Sequence, residues 1–227
     1  MTAQMAFDLP VRPAFGREDF VVSPANAATV AMVETPKLWP GGRLALTGPE
    51  ASGKSHLAQV WATGTDAVIV AARDLARLDV PTLASARRLV VEDVPLIGGQ
   101  RRAEAAMFHL YNLLGAAHGR LLFTGRGPVA GWGLSLPDLA SRLQSATAVA
   151  LPPPDDALLR ALLAKHMRDR QVPLTEAVAD YVVSRMTRSA ARAHALAVEL
   201  NRLSLARRRP VTIPLARDAL LALGDGG

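Results

Sequence analysis

The sequence predicts an α/β fold in which a parallel sheet is flanked by helices, followed by a small domain made of helices alone. In the first two thirds of the 227-residue chain, short apolar runs alternate with helical segments. A run of three prolines then interrupts the pattern, and only helical patterns follow it. Strands that alternate with helices pair in parallel, and consecutive prolines end both strands and helices, so the two parts of the chain are predicted to be separate.

Five apolar runs have the length and composition of buried strands. They are Arg43–Thr47, Ala67–Val70, Leu89–Val91, Leu121–Thr124 and Ala146–Ala150. Between the third and the fourth, residues 104–114 place Met107, Leu110, Tyr111 and Leu114 at helical spacing, which predicts a crossover helix.

The domain boundary is predicted at the proline run of residues 151–156. The predicted division is an N-terminal peptide over 1–14, an α/β domain over 15–151 and a helical domain over 152–227. Helical periodicity and punctuation by Pro173, Pro210 and Gly224 predict four helices in the last part. They are Asp156–Arg170, Thr175–Met186, Ser189–Ala206 and Pro214–Leu223.

Composition excludes a membrane span and a disulfide framework, because no apolar run is long enough to cross a bilayer and the chain has no cysteine. The first ten residues lack the pattern of a signal peptide, so a cytoplasmic location is expected. The net charge of +6 is carried almost wholly by arginine, with a local run at residues 207–209. That run would suit DNA, but no aromatic residue interleaves it, so a solvated basic face is the favoured interpretation.

A phosphate-binding loop is predicted at residues 48–55, which read G-x-x-x-x-G-K-S between a strand and a helix. In such a loop glycines permit the turn, backbone N–H groups face one anion, a lysine reaches the terminal phosphates and a hydroxyl holds Mg²⁺. The positive end of the following helix, which continues through His56, also faces the phosphates. The alternative is a glycine turn that matches by chance. The nucleotide-binding residues predicted here are Gly48, Pro49, Glu50, Ala51, Ser52, Gly53, Lys54, Ser55 and His56.

Glu92 and Asp93 are the candidates for the acidic side chains near Mg²⁺, because they end the apolar run Leu89–Val91. Their strand is expected next to the strand that leads into the phosphate loop. Two surface carboxylates are the alternative. Hydrolysing enzymes of this kind usually read Asp-Glu, whereas this chain reads Glu-Asp, so metal and water geometry would shift and slow or absent hydrolysis is expected. Ser55 and Glu92 are the predicted Mg²⁺ ligands.

Taken together, these motifs resemble the AAA+ family of the bacterial initiator DnaA, and most closely its Hda branch. The resemblance also includes residues 121–128, the stretch Phe108–Asn112 and the Asp-Leu-Ala-Ser-Arg-Leu sequence at 138–143. It extends over nearly the whole chain and implies an AAA+ P-loop base, a helical lid and a nucleotide, ADP or ATP with Mg²⁺, held between them.

The resemblance implies roles for three further residues. Thr124 would be the sensor 1 residue that reaches the γ-phosphate or the attacking water, although a strand-end threonine is an equal alternative. Arg142 would be an arginine finger that projects toward a neighbour's nucleotide. Arg192 would be the sensor 2 arginine, with Arg188 as its nearest competitor; an exposed helix arginine is the alternative for both.

The segment Gln4–Leu9 resembles the peptide with which Hda proteins dock into the sliding clamp of the DNA polymerase III replicase. Gln4 would be a polar anchor, while Met5, Phe7 and Leu9 would fill an apolar groove. Met5 and Asp8 depart from the leucine and proline of that peptide. An unstructured terminus is the alternative.

The resemblance implies a negative regulator of replication initiation that binds the clamp and stimulates hydrolysis of DnaA-bound ATP. Its partners would be DnaA, the clamp and, through the clamp, DNA in the nucleoid, and Arg142 would also allow self-association. No helix-turn-helix follows the lid before Gly227, so origin recognition is not expected. The alternatives are an AAA+ ATPase, a P-loop kinase and a basic DNA-binding adaptor; a metalloenzyme is not expected, since the histidines lack metal-ligand spacing.

Overall fold

The computed structural model describes Arg17 and residues 20–225, and a parallel sheet forms the centre of its first part. Within these residues the sheet has five strands in the order β2-β3-β4-β1-β5. The strands are β1 Arg43–Thr47, β2 Val68–Ala71, β3 Arg88–Glu92, β4 Arg120–Gly125 and β5 Thr147–Ala150. The five predicted strands are confirmed, and their ends shift by no more than one residue.

Helices cover both faces of the sheet, as predicted. They are α1 Ala27–Glu34, α2 Lys54–Thr65, α3 Val80–Ser85, α4 Arg101–Ala116 and α5 Pro137–Ser145. Successive strand residues point to opposite faces, so Leu121 and Phe123 of β4 pack in the cluster that includes α4 and α5, whereas Leu122 packs in the cluster that includes α1 and α2. A strand buried on both faces has a continuous run of apolar residues, and that run located β4 to within one residue at each end.

The last part of the described chain is a bundle of helices that forms the lid. Its helices are α6 Asp156–Asp169, α7 Glu176–Val183, α8 Ala190–Arg207 and α9 Ile213–Ala222. The Asp155 carboxylate accepts the Leu158 N–H at 2.7 Å, and the Ser189 hydroxyl accepts the Arg192 N–H at 3.0 Å. Side-chain caps of this kind satisfy N–H groups that the first turn leaves unpaired, and they set the start of α6 and α8.

The lid has its own apolar core, and the segment before α1 reaches it. Leu159, Leu163, Val182 and Leu200 are fully buried within the lid cluster. Val21 packs against that cluster, whereas the preceding Phe20 packs with the base cluster of α1 and α2. None of the helices in residues 20–225 is long and apolar enough to cross a membrane.

Two histidines of the lid contact each other, and both have a lowered pKa. The rings of His166 on α6 and His194 on α8 lie 4.9 Å apart at an interplanar angle of 85°. Burial, together with the charges of His194, Arg170 and Lys165, lowers the pKa of His166 from 6.5 to about 4, and Asp169 opposes this shift. Burial and Arg170 also lower the pKa of His194. The folded lid therefore favours neutral rings.

The His166→Gln variant is expected to lose less stability on acidification than the wild type. An unfolded histidine binds a proton below pH 6.5, whereas the folded His166 does not until about pH 4. Its stabilising contribution is therefore complete above pH 6.5 and declines as the pH falls toward 4, by about 1–2 kcal/mol because part of the ring meets solvent. Urea denaturation at pH 7 and pH 4 measures this. His109→Gln, at an exposed site, should keep the wild-type decline; equal declines in all three proteins would contradict the prediction.

Candidate nucleotide-binding site

The loop between β1 and α2 has the backbone that an anion-binding turn needs. Gly48 has φ 150°, and a Cβ at this position would lie 2.4 Å from the Leu151 carbonyl oxygen. Gly53, with φ 102°, begins α2 as its N-cap residue. Both conformations require glycine, since any side chain would clash or be strained. The two glycines of the predicted motif thus allow the loop to approach β5 and then enter the helix.

Lys54 lies across this loop and is buried. Its Nζ donates to the carbonyl oxygens of Gly48 at 3.0 Å and Pro49 at 2.6 Å. Burial lowers the pKa of the Lys54 ammonium, Asp93 and Glu50 raise it, and Arg126 lowers it. The lysine is therefore already at the loop, among charges of both signs. Terminal phosphates could replace the two carbonyls as its acceptors.

Three other residues of the predicted loop differ in their surroundings. The Ser52 hydroxyl is buried without a hydrogen-bond partner among the described residues, whereas Ser55 in the first turn of α2 is exposed. The His56 ring packs edge-on against Phe20, with 5.2 Å between ring centroids. Since a buried hydroxyl normally forms a hydrogen bond, Ser52 is suited to form one with a ligand at the loop, as donor or as acceptor.

The acidic pair lies where β3 ends, but the strand next to the phosphate loop is a different one. We expected the strand of Glu92 and Asp93 beside β1; instead β4 pairs with both β1 and β3 and separates them. That expectation was wrong because helical crossovers allow a strand that comes later in the chain, here β4, to insert between two earlier strands. β4 itself carries Thr124, so Thr124 lies on the strand next to the acidic strand.

Glu92 and Asp93 are held differently. The Glu92 Oε1 atom is buried and has no hydrogen-bond partner within the described residues, which is costly unless a ligand satisfies it. Asp93 is exposed, has φ 55° and raises the pKa of Lys54. A non-glycine residue in the left-handed region is strained, and such strain is often found at functional sites.

The Thr124 hydroxyl holds this strained turn. Its Oγ1 accepts the backbone N–H of Asp93 at 3.0 Å, and the residue is almost fully buried. The hydroxyl can still donate its own proton to another acceptor. Thr124 therefore fixes the end of β3 relative to β4, while contact with a phosphate or water stays a prediction.

The residues at this edge fit a nucleotide with Mg²⁺. Ser52 Oγ and Glu92 Oε1 are unpaired buried polar atoms, and the loop has the glycines that a phosphate cradle needs. No group of three or more His, Cys, Asp or Glu within the described residues could hold a metal ion unaided. Mg²⁺ typically combines one or two protein ligands with phosphate oxygens and water, and here Ser55 and Glu92 would supply them.

The two candidate lid arginines both have acidic partners within the lid. Arg192 Nε lies 3.0 Å from Asp225 Oδ2, and its Nη1 donates to the Leu223 carbonyl at 2.8 Å. Arg188 Nη1 lies 2.7 Å from Asp156 Oδ1. Of the two pairs, that of Arg192 is the more buried, since the Asp225 side chain is only 4% exposed. Arg192 would have to leave these lid groups to contact a phosphate.

Arg142 on α5 is exposed and lies over two aromatic rings of α4. Its guanidinium carbon is 5.3 Å from the Phe108 ring centroid and 6.0 Å from that of Tyr111. The opposite side of α5 is anchored by the buried Leu139 and Leu143. No carboxylate of the described residues pairs with Arg142. Its charge is therefore available to a partner, and the rings restrict its orientation.

Glu104 positions α5, and sequence reasoning missed it. This fully buried carboxylate on α4 accepts the N–H groups of Gly99 at 2.7 Å, Ser135 at 3.0 Å and Leu136 at 2.6 Å. Burial raises the pKa of Glu104, but these hydrogen bonds lower it further, so the net shift is downward. The available signal was a carboxylate on the apolar face of α4, one turn before Met107.

The predicted docking residues Gln4, Met5, Phe7 and Leu9 lie outside the residues that the structure describes. The interpretation of that segment therefore rests on the sequence alone.

Together, the parallel sheet, the glycine loop and the helical lid define an AAA+ module. Domain III of the Thermotoga maritima replication initiation protein DnaA has a TM-score of 0.80 and 20% identity, covering 94% of this chain and 98% of that chain. AMPPCP-bound DnaA from Aquifex aeolicus gives 0.73 and 20%, covering 85% and 66%. The Thermotoga maritima RuvB Holliday junction branch migration motor gives 0.70 and 14%, covering 92% and 72%. At these identities the likeness shows the fold.

The sequence of the lid gives a narrower assignment. Residues 155–220 match the family model for the Hda lid domain, a range that includes α6, α7 and α8 and most of α9. The lid of this chain is therefore similar to that of Hda, and its fold is similar to that of DnaA domain III, in agreement with the resemblance predicted from the motifs.

The Glu104→Gln variant is expected to lower the free energy of unfolding by about 2–4 kcal/mol, because its amide would place a donor against N–H groups and leave them unpaired in the interior. Amide hydrogen exchange at Ser135 and Leu136 should accelerate with it. Chemical denaturation and exchange mass spectrometry measure these effects. Glu176→Gln, at an exposed site, is the matched control; if Glu104→Gln is no less stable than this control, Glu104 does not hold α5 as described.

Proposed function

We propose that this protein is an Hda-type regulator of replication initiation. It binds an adenine nucleotide, docks through residues 4–9 on the sliding clamp and presents Arg142 to ATP bound by DnaA. Hydrolysis then converts the initiator to its ADP form. The Hda lid match and the DnaA-like fold support the class of regulator, and the remaining steps are proposed from the residues.

The observation that carries the proposal is the state of Arg142. An arginine finger must be exposed, charged and oriented, because it neutralises charge that develops on a phosphate held by another subunit. Arg142 is exposed, has no acidic partner among the described residues and lies over Phe108 and Tyr111. Glu104 fixes the start of its helix through Leu136. This arrangement supports a role in trans better than a role in the chain's own site.

The protein's own nucleotide is proposed to act as a ligand more than as a fuel. Lys54 and the glycine loop would hold the phosphates, and the order Glu92-Asp93 disfavours efficient activation of water. Arg192 would couple the nucleotide to the lid by exchanging Asp225 for a phosphate. ADP is the proposed resident nucleotide, with little or no intrinsic ATPase activity. Among the structural neighbours, a FIGL-1 AAA domain has been solved with ADP, and DnaA with AMPPCP.

Binding to the clamp would place the regulator on DNA, close to DnaA. A short peptide with one polar anchor and three apolar side chains suits a groove on a protein surface. Tethering the regulator to a clamp on DNA raises its effective concentration near DnaA without any new contact. Regulation would thereby depend on replication having started.

The Arg142→Ala variant is expected to reduce stimulation of DnaA-bound ATP hydrolysis by about three to five decades, because transition-state charge would be left uncompensated. Nucleotide and clamp affinity should stay unchanged. The measurement is conversion of DnaA-bound ATP to ADP with clamp loaded on DNA. Arg185→Ala is the matched control, since Arg185 is another exposed arginine, in the turn after α7, and its guanidinium carbon lies 4.1 Å from the ring centroid of Tyr181. Stimulation equal to wild type in Arg142→Ala would exclude the finger role.

The Gln4→Ala variant is expected to weaken clamp binding about tenfold or more, since the peptide loses its polar anchor. Nucleotide affinity should not change. Surface plasmon resonance on immobilised clamp measures the first quantity, and nucleotide titration the second. Asp8→Pro restores the family pattern and should strengthen clamp binding. If Gln4→Ala binds the clamp as tightly as the wild type, residues 4–9 are not the docking peptide.

A further inference from the structure

Arg126 lies at the phosphate loop, although no motif assigns it a role. β1 and β4 are parallel, and Thr47 is paired in register with Gly125. The next residue on each strand's continuation is Gly48, the first glycine of the loop, and Arg126. The carboxyl ends of neighbouring parallel strands meet at one edge of a sheet, so Arg126 emerges beside the loop.

The backbone of Arg126 is held by Trp132, whereas its side chain is exposed. The Trp132 indole N–H is shared between the carbonyl oxygens of Arg126 at 3.0 Å and Gly127 at 3.3 Å. A Cβ on Gly125 would lie 2.4 Å from the Trp132 ring, so the tryptophan packs directly on the preceding backbone. The Arg126 side chain, by contrast, is 61% exposed. A fixed backbone that carries an exposed cationic side chain is suited to binding an anion at the loop.

The present partner of Arg126 is an acidic residue of the phosphate loop itself. Arg126 Nη1 lies 2.9 Å from Glu50 Oε2, and the Glu50 side chain is 72% exposed. An exposed pair of this kind contributes only about 0–1 kcal/mol, so a competing anion can replace it at little cost. A phosphate group offers a stronger, bidentate acceptor to a guanidinium than one exposed carboxylate does.

Arg126 also acts electrostatically on Lys54, the cation that is predicted to contact the terminal phosphates. It lowers the pKa of the Lys54 ammonium, while Glu50 and Asp93 raise it. Arg126, Glu50 and Lys54 are thus coupled electrostatically at one edge of the sheet. The lysine of such loops reaches the terminal phosphates. Arg126 lies close enough to Lys54 to lower its pKa, so it is also close enough to contact the same phosphates.

We propose that Arg126 is a further phosphate-binding residue of the nucleotide site, and that Glu50 occupies it until the terminal phosphate of a nucleoside di- or triphosphate replaces the carboxylate. Glu50 then acts as an internal competitor that weakens nucleotide binding. The inference rests on the proposed nucleotide site but is independent of DnaA and the clamp.

The test is calorimetric titration of the full chain with AMP, Mg-ADP and Mg-AMPPCP. Arg126→Gln should weaken Mg-ADP and Mg-AMPPCP binding about tenfold, as expected for one charge-assisted contact, and leave AMP nearly unchanged. Glu50→Gln should strengthen binding of the longer nucleotides about threefold to tenfold, and this gain should disappear when Arg126→Gln is also present. Arg202→Gln is the matched control, because Arg202 is an exposed arginine paired with Glu199 at 2.6 Å.

Two results would overturn the proposal. One is Arg126→Gln affinities equal to those of Arg202→Gln; the other is equal losses for AMP and Mg-AMPPCP, which would indicate a general change of the fold. Should Arg126→Gln fail to fold, Glu50→Gln still tests the proposal, and unchanged affinities for Mg-ADP and Mg-AMPPCP in that variant would overturn it. The Lys54→Ala variant distinguishes failure of the Arg126 proposal from failure of the proposed nucleotide site. If this variant binds nucleotides with wild-type affinity, the nucleotide site itself is wrongly assigned.

Discussion

The parallel pairing of β4 with both β1 and β3 is the constraint on which the site depends. It places the phosphate loop, the acidic turn and the Arg126 loop at one edge of the sheet. The Thr124 hydroxyl of β4 fixes the strained Asp93 turn, and Gly125 allows Trp132 to pack on the loop that follows. A shift of β4 by one residue would reverse the faces of Leu121, Leu122 and Phe123, so the core that fixes the register also fixes the site.

Charge at this edge is balanced within the protein. Lys54 donates to carbonyls of its own loop, Arg126 pairs with Glu50, and Arg192 pairs with Asp225 in the lid. Each cation that could bind phosphate therefore already has a weaker acceptor. In the proposed function, nucleotide binding would exchange one acceptor of each cation for another, and the net free energy would be the difference between the two acceptors. Such an arrangement suits a protein whose nucleotide controls conformation.

The surface around Arg142 depends on other interactions, because α5 is anchored by the buried residues on its opposite side. Glu104 provides a carboxylate in the interior, where an unsatisfied charge would be costly, and the N–H groups before α5 satisfy it. That hydrogen-bond network defines where α5 begins, and Phe108 and Tyr111 then limit the orientation of the arginine. The proposed regulatory surface and the nucleotide site thus depend on different interactions, and a variant can affect one without the other.

The sequence by itself determined the strands, the helices and the glycine loop, because these depend on local periodicity and on backbone conformations that only glycine adopts. The AAA+ class came from the resemblance of its motifs to a known family. It also identified the lid, whose helices are capped by neighbouring residues such as Asp155 and Ser189. Only the tertiary structure decided that β4 lies between β1 and β3, that Glu104 holds α5, and that Arg126 meets Glu50. Those contacts join residues at least 31 positions apart, and nothing in the local pattern encodes which distant strand or carboxylate becomes the neighbour.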